Sequence, residues 1–315
     1  MGFAGAMAVA MVVDALVGWP DRLFARIGHP VTWLGKMIAA LDARWNRETD
    51  TPAMRRAAGV AAALFVIALS VAVACIVERV IPSGLTGVVL LGVLAWPFVA
   101  FRSLYDHVAA VRDPLRAGDI EAARKAVSMI VGRDPAKLDE AGIARAAIES
   151  LAENASDGIV APVFWGLLFG LPGIVGYKTI NTLDSMIGHR SERHKFFGSA
   201  AARIDDVANF IPARLAGLLF VALAAGGRRQ AAMSCMWQDA RQHRSTNAGW
   251  PEAAVAGALG VRLCGPRFYD GELADEPWLN AAAADPVAAD ITKALELYVA
   301  AMFALTLLLV VLAVV

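Results

Sequence analysis

The chain has little charge and few cysteines, and both shortages limit the class of protein it can be. Charged residues make up 18% of the 315 residues and hydrophobic residues 58%, a composition typical of integral membrane proteins. Basic and acidic residues balance to a net charge of zero, which argues against nucleic acid as a partner. The three cysteines lie far apart and form no C-x-x-C pair, so they predict neither a disulfide framework nor a thiolate zinc site.

Familiar motifs for phosphate binding and nucleophilic catalysis are also missing. The sequence has no Walker A motif, no strand-linked G-x-G-x-x-G and no G-x-S-x-G elbow. Strand signals are absent as well, because apolar residues recur at helical spacing or in long runs. A nucleotide would therefore need a helical site without a familiar phosphate loop.

Long uncharged segments predict membrane-spanning helices. Residues 57–77, 81–101 and 297–315 carry no charge, and each is long enough to cross about 30 Å of hydrocarbon. Residues 2–19 form a fourth candidate, interrupted by Asp14 and read as an anchor because it has no basic start and no clear cleavage site. The sequence thus predicts an all-α polytopic membrane protein, a single domain over residues 1–315, with about four spans joined by cytoplasmic helices.

The distribution of lysine and arginine predicts the orientation in the membrane. All but one of the 29 basic residues can share the cytoplasmic face, the exception being Arg79. This arrangement requires residues 158–177 to leave and return on the same side, and the sequence Leu168–Gly173 breaks that segment in its middle. We therefore expect a re-entrant helical hairpin in a multi-pass protein of the inner (cytoplasmic) membrane, with its active site facing the cytoplasm. Residues 215–227 are too few to cross alone.

A first polar cluster precedes the hairpin segment. On a helix through residues 138–154, Arg145, Glu149 and Glu153 recur every four residues and share one face. The two glutamates repel each other, so a divalent cation or a basic ligand would relieve the pair. A surface ion pair between Arg145 and Glu149 is the simpler alternative.

A second polar cluster follows the hairpin segment. Residues Asn181, Asp184, Ser185 and Gly188 fall on one face of an otherwise apolar helix, which favours a cavity over lipid. Hydrogen bonding between packed helices is the alternative.

Two later segments also carry polar groups suited to phosphate. Asp205 and Asp206 suggest Mg²⁺ with a phosphate, although an ordinary Arg203–Asp206 ion pair explains that segment equally well. Residues 245–252 predict a loop opening a helix, whose free N–H groups attract anions or are simply capped. Pro212 predicts that the preceding helix stops and restarts.

These motifs together resemble the adenosylcobinamide-phosphate synthase family of cobalamin biosynthesis, also called the CobD/CbiB family. The resemblance runs in order along nearly the whole chain, and its two central motifs are long. The matching segments are His29–Val31, Trp33–Lys36, Gly132–Asp134, Ile148–Gly158, Ala161–Trp165, Tyr177–Gly188, Phe197–Gly198, Ala202–Asp206, Asn209, Ile211–Arg214 and Asn247–Gly249.

The resemblance implies an ATP-dependent ligase. Such enzymes join adenosylcobyric acid to an amino-alcohol phosphate, typically (R)-1-amino-2-propanol O-phosphate, and use Mg²⁺ with ATP. The expected surroundings are the lipid bilayer and later membrane enzymes of the same pathway. Two other functions remain open: a Mg²⁺-dependent intramembrane transferase acting on a lipid-linked pyrophosphate, and a non-enzymatic regulatory membrane protein.

The resemblance also marks positions for the chemistry, whose individual roles are hypotheses. The expected catalytic residues are Glu149, Glu153, Asp157 and Asp184. The expected Mg²⁺ ligands are Glu149, Glu153, Asp184, Asp205 and Asp206. The expected substrate-binding residues are Asn154, Asn181, Ser185, Lys178, Arg203, Arg214, Arg133 and Asn247.

Overall fold

The computed structural model describes residues 2–131, 138–189, 191–269, 272–274 and 276–315. In this part of the chain nearly all regular structure is helical. The helices are α1 (Gly2–Val17), α2 (Asp21–Ile27), α3 (Pro30–Trp45), α4 (Pro52–Arg79), α5 (Leu85–Ala95), α6 (Phe101–Arg116), α7 (Ile120–Val127), α8 (Glu140–Ala155), α9 (Ala161–Leu183), α10 (Ser199–Leu223), α11 (Arg229–Asp239), α12 (Gly249–Leu259) and α13 (Ala288–Val314).

Five helical segments are long and apolar enough to cross a membrane, which confirms the predicted polytopic all-α class. They are Pro52–Arg79, Leu85–Arg116, Glu140–Gly188, Ser199–Leu223 and Ala288–Val314. A sixth is possible by length if α1 and the following helical residues 22–45, which bend by 108°, count as one broken span. The predicted four spans differ from these five in three places. The helix Ser199–Leu223 is added because the sequence treated residues 215–227 alone, Glu140–Gly188 is added although it contains the predicted re-entrant segment, and the predicted first span is met only as part of the bent pair.

The chain divides into two compact units. The first comprises residues 1–100, 161–209 and 306–315, and the second residues 101–160 and 210–305. Helix α10 contributes its first part to one unit and its second part to the other.

In the first unit, α9 is a helical hairpin. Its backbone leaves helical geometry at Phe169 and Gly170, where Gly170 adopts a φ of +64° that glycine tolerates without strain. The two arms then lie against each other: a Cβ added to Gly173 would meet the Trp165 carbonyl oxygen at 2.1 Å. The predicted helical hairpin is thus present in the structure. Its re-entry into a membrane stays a prediction.

The second arm of the hairpin runs antiparallel to α4. The backbone N–H of Leu171, at the tip, donates to Glu78 Oε2 near the end of α4 at 2.6 Å. Further along, a Cβ on Gly176 would lie 3.0 Å from Val71. At the other end of the arm, an apolar core joins it to the start of α4 and to neighbouring segments; its buried residues are Ile38, Ala62, Ala63, Val66, Leu183, Ile187, Phe197 and Ala201.

Helix α10 continues through Pro212, so the predicted break is wrong. Proline lacks the N–H that would bond to the carbonyl of Ala208, four residues earlier. That carbonyl instead accepts a hydrogen bond from the Trp165 indole at 3.1 Å. Because the freed acceptor is satisfied, the helix does not need to end there.

The second unit combines helices with two short antiparallel strand pairs. Strand β1 (Leu263–Cys264) pairs with β4 (Trp278–Leu279), and β2 (Arg267–Tyr269) pairs with β3 (Glu272–Ala274). Strands of two or three residues are too short to show the alternating pattern, so the sequence did not predict them. Helix α6 ends at Arg116 and α7 begins at Ile120, so two helices occupy this part of the second unit.

Candidate functional site

The second unit contains a cavity of about 600 Å³ between α10, α11 and the loop that leads into α12. Three arginines, one histidine and three aromatic side chains contribute to its wall. The lining residues are Phe210, Arg214, Leu218, Met236, Trp237, Ala240, Arg241, His243, Arg244, Ser245, Thr246 and Trp250. We call this cavity the arginine pocket.

Arg214 is held rigidly in the arginine pocket. Its guanidinium lies 3.7 Å from the centre of the Phe210 ring and 4.3 Å from that of Trp250. It also donates to the Phe210 carbonyl at 2.6 Å and to Asn247 Oδ1 at 3.3 Å. An arginine fixed in this way loses little conformational freedom when it binds an anion.

The loop at the mouth of α12 is ordered by its own side chains. Ser245 Oγ accepts from the backbone N–H groups of Asn247 at 3.3 Å and Ala248 at 3.1 Å. Gly249 is required where the helix begins, because a Cβ there would lie 2.5 Å from the His243 Cβ. These bonds order the loop ahead of α12, whereas the helix itself begins without a side-chain cap at Ala248.

The other two arginines add charge to the same pocket. Arg241 lies over the Trp237 ring at 5.6 Å, and Arg244 is 70% exposed with its guanidinium 3.7 Å from Glu276. Guanidinium groups bind phosphate oxygens through paired hydrogen bonds, and aromatic faces stack on planar groups. The arginine pocket is therefore suited to a phosphorylated ligand that carries a planar group.

The first unit contains the opposite kind of site, a cluster of carboxylates that we call the acidic cluster: Asp184, Asp205 and Asp206. The charges of Asp184 and Asp206 both act on Asp205. Asn209 donates to Asp205 Oδ2 at 3.0 Å and accepts from the Tyr177 hydroxyl at 2.7 Å. This chain of hydrogen bonds fixes one oxygen of Asp205.

The second oxygen of Asp205 is buried and lacks such support. Oδ1 has no partner with normal hydrogen-bond geometry, although the Asn181 amide faces this carboxylate. A buried carboxylate oxygen without a donor is costly. Together with two neighbouring carboxylates, it fits an oxygen-coordinated divalent cation such as Mg²⁺.

The polar stripe that contains Asp184 ends in a π-helical turn, Asp184–Gly188. A Cβ on Gly188 would lie 1.9 Å from Asp184 Oδ1. Glycine is needed at this position because the Asp184 carboxylate folds back over it. The other member of the stripe, Ser185, donates to the Asn181 carbonyl at 2.8 Å.

The remaining predicted residues of the first unit are less constrained. Lys178 is half-buried, and its charge acts on His29. Arg203 is exposed and makes no ion pair or hydrogen bond with any residue that the structure describes. The alternative of an Arg203–Asp206 ion pair is therefore not observed.

The residues predicted before the hairpin lie in the second unit and differ in burial. Glu149 is buried and accepts from the Cys264 backbone N–H at 2.7 Å. Glu153 and Asn154 are exposed. Asp157 is half-buried in the π-helical turn Ser156–Val160. Arg133 lies outside the described residues.

Arg145 has a different partner from the one considered in the sequence. It pairs with Asp285, which also accepts from Arg262 at 2.6 and 2.9 Å. Both guanidiniums stack on the Trp278 ring. Arg145 therefore pairs with Asp285, and Glu149 accepts a hydrogen bond from the Cys264 backbone N–H.

The structure thus gathers the predicted residues into two groups. Asn181, Asp184, Asp205 and Asp206 lie together in the first unit, and Arg214 and Asn247 in the second. Sequence reasoning missed Trp237, Arg241, His243, Arg244 and Trp250. The four-residue spacing of Trp237 and Arg241, followed by Arg244, was the signal that could have indicated a cationic helix end.

The fold and these two sites define a polytopic helical membrane protein with one acidic and one cationic candidate site. A family model described as CobD/Cbib protein matches residues 7–298. The chain is 60% identical over 307 residues to the "Cobalamin biosynthesis protein CobD" of Rhodobacter capsulatus, covering 98% of this chain and 96% of the relative. It is 48% identical over 306 residues to the protein of the same name from Brucella suis, covering 95% and 94%.

These matches extend over almost the entire length of both partners. The chain therefore belongs to the CobD/CbiB family of cobalamin biosynthesis proteins. No solved structure matches it.

Proposed function

We propose that this protein is an ATP-dependent acid–amine ligase. It joins adenosylcobyric acid to an amino-alcohol phosphate, (R)-1-amino-2-propanol O-phosphate or a close analogue, and forms adenosylcobinamide phosphate. Membership of the family supports a step in cobalamin biosynthesis. The observation that carries the finer proposal is the arginine pocket, because it provides three guanidinium groups beside aromatic faces.

The size of the arginine pocket favours ATP as its occupant. Cavities of about 300–1,000 Å³ enclose ligands of drug size, and this one measures about 600 Å³. An adenosylcorrinoid is much larger than such a cavity. In this proposal the arginines contact the phosphates of ATP, and Trp237 or Trp250 provides a face for the base.

The acidic cluster is the candidate Mg²⁺ site. Its ligand atoms are oxygens only, as Mg²⁺ prefers, and Oδ1 of Asp205 has no partner with normal hydrogen-bond geometry. Bound Mg²⁺ would neutralise phosphate charge during transfer. Asp205 and Asp184 would hold the ion, with Asn209 and Tyr177 keeping the Asp205 carboxylate oriented.

The proposed reaction proceeds in two steps. A propionate oxygen of adenosylcobyric acid attacks the γ-phosphorus of ATP, and ADP leaves as the acyl phosphate forms. The neutral amine of the amino-alcohol phosphate then attacks the acyl carbon, inorganic phosphate leaves, and the nitrogen loses a proton as the amide forms. The chain must supply cations for the phosphates and a carboxylate base for the proton.

The proposal also assigns the protein to the inner membrane with both sites facing the cytoplasm. The skew of basic residues supports this orientation. Cytoplasmic ATP would then be available to the arginine pocket.

The test is product formation by the purified full-length protein. It is incubated with adenosylcobyric acid, the amino-alcohol phosphate, ATP and Mg²⁺, and both ADP and the corrinoid product are quantified. We expect one ADP per amide and no amide when ATP is omitted. Corrinoid binding without turnover would instead favour a regulatory protein, and phosphate release from a lipid-linked pyrophosphate without ATP would favour the transferase.

A further inference from the structure

A second group of potential metal ligands lies beside the arginine pocket, within the second unit. The side chains of His243, Glu252 and Cys264 place one ligand atom each within 4.8 Å of one another. They come from three separate segments: the loop after α11, the first turns of α12, and strand β1. The spacing of the cysteines in the sequence gave no sign of this convergence, because Cys264 reaches the group only through the fold.

The distances within this group resemble those of a tetrahedral metal site. Cys264 Sγ lies 3.1 Å from Glu252 Oε2, and His243 Nε2 lies 3.6 Å from the same oxygen. Zinc bonds of about 2.0–2.3 Å in tetrahedral geometry separate neighbouring ligand atoms by about 3.3–3.6 Å. Two of the three pairs of ligand atoms are therefore close to the spacing of a zinc site, and the third pair lies within 4.8 Å.

The burial and charge of the group also suit zinc. Glu252 is 3% exposed and Cys264 is 2% exposed. One Zn²⁺ would balance one carboxylate and one thiolate beside a neutral imidazole, so no net charge would be buried. Sulfur and nitrogen ligands select Zn²⁺ over Mg²⁺ or Ca²⁺.

The environment of His243 allows it to act as a ligand. Its Nδ1 lies 3.3 Å from the Ser245 carbonyl oxygen and 3.0 Å from the Ser245 backbone nitrogen. If Nδ1–H donates to that carbonyl, the unprotonated Nε2 can bind a metal, which is the usual arrangement of metal-bound histidine. If Nδ1 instead accepts from the Ser245 N–H, Nε2–H donates to Glu252 and no metal is needed.

We propose that His243, Glu252 and Cys264 bind a Zn²⁺ ion, with water in the fourth position. The ion ties the loop that carries Arg241 and Arg244 to α12 and β1. It is separate from the proposed Mg²⁺ site and takes no part in the proposed reaction steps.

The most informative variant is Cys264→Gly. Cys264 has a φ of +60°, which glycine adopts without strain. The hydrogen bond to Glu149 comes from the backbone N–H of residue 264 and survives the substitution. This variant therefore removes the thiol without disturbing the local backbone. Cys75→Ala is the matched control, because Cys75 is a free cysteine within α4.

The test is the zinc content of the full-length protein, purified in detergent with added zinc salt and freed of loose metal on a desalting column. We expect about one zinc per chain in the wild type and in Cys75→Ala, and almost none in Cys264→Gly. Circular dichroism and size-exclusion profiles should be the same for all three proteins. Replacement by Co²⁺ should give a thiolate-to-cobalt absorption band in the wild type that Cys264→Gly lacks.

Two results would overturn the zinc site. A wild-type protein that takes up neither Zn²⁺ nor Co²⁺ has only the hydrogen-bonded arrangement of these side chains. A folded Cys264→Gly protein that keeps its zinc places the ion elsewhere. Neither measurement uses ATP or a corrinoid, so the outcome is independent of the proposed ligase reaction.

Discussion

The candidate sites of the two units carry side chains of opposite charge. In the first unit, three aspartates lie near one another, and one buried oxygen of Asp205 has no partner with normal hydrogen-bond geometry among the described residues. In the second unit, the Arg214 guanidinium lies on two aromatic rings, in a pocket that two further arginines line. Under the proposed function, the acidic cluster binds Mg²⁺ and the arginine pocket binds phosphate, two groups that phosphoryl transfer uses.

The largest expected effect comes from the acidic cluster. Asp184→Asn should reduce turnover by about two orders of magnitude, the scale of losing one charge-stabilising group. Glu192→Gln is the matched control, since Glu192 is an exposed acid of the same unit that pairs only locally with Lys195. The measurement is ADP release and amide formation by the purified proteins. Near-normal turnover of a folded Asp184→Asn protein would remove this residue from the site.

A smaller effect is expected in the arginine pocket. Arg214→Lys should weaken ATP binding by about tenfold, because an ammonium group cannot lie flat between two rings and donate in pairs. Binding of a fluorescent ATP analogue to the purified protein measures this. Arg229→Ala, which removes an exposed arginine at the start of α11, should bind as the wild type does. Equal affinities of all three proteins would contradict the assignment of ATP to this pocket.

Two substitutions of Glu149 test whether this residue is a metal ligand or a structural hydrogen-bond acceptor. Glu149→Ala should lower the free energy of unfolding by about 1–3 kcal/mol, because the buried N–H of Cys264 loses its acceptor. Glu149→Gln keeps an acceptor oxygen and should be much milder. Thermal unfolding in detergent tests the stability, and the Mg²⁺ dependence of ADP release tests the metal role. A raised Mg²⁺ midpoint in Glu149→Gln would restore this residue to the metal site predicted from the sequence.

The smallest effect is expected at Asp285, whose carboxylate already pairs with the guanidinium groups of Arg145 and Arg262. Hydrogen bonds from Arg262, aided by Arg145, lower the pKa of Asp285 from 3.8 to about 2. A carboxylate whose pKa is lowered by folding stabilises the protein above its ordinary pKa, and that contribution disappears as the pH falls through the folded value. Because Asp285 is 34% exposed, water screens the network, and its contribution at neutral pH is about 0.5–1 kcal/mol.

The matching experiment compares thermal unfolding of the wild type and Asp285→Asn. The wild type should be the more stable at pH 7, and the difference should narrow as the pH falls from about 4 to about 2. A difference that is constant over this range would show that Asp285 contributes through packing and not through its charge.

The acidic cluster could largely be predicted from the sequence, whereas the arginine pocket could not. Asn181, Asp184 and Ser185 follow helical periodicity, so their shared face is a local property. The arginine pocket joins α10 to a loop about 30 residues later along the chain, and no local pattern encodes that contact. Glu149 shows where prediction from local spacing fails. Its helical spacing from Glu153 is present in the structure, but its hydrogen-bond partner Cys264 is distant in sequence.

The same distinction applies to the fold. The helices were predictable because uncharged runs and a Gly–Pro break are local signals. The continuity of α10 through Pro212 was not, because it depends on a hydrogen bond from Trp165. Spans also extend beyond their uncharged cores, since polar residues at helix ends still form helical hydrogen bonds, as in α4 and α13.

The central claim is that one unit binds the phosphates and the other the metal. The most direct test measures ATP affinity without Mg²⁺, and turnover as a function of Mg²⁺, in the wild type, Arg241→Ala and Asp205→Asn. We expect Arg241→Ala to lose ATP affinity even without Mg²⁺, and Asp205→Asn to keep that affinity while losing its response to Mg²⁺. If both variants lose ATP affinity equally, or if neither loses anything, the division of roles between the two sites is wrong.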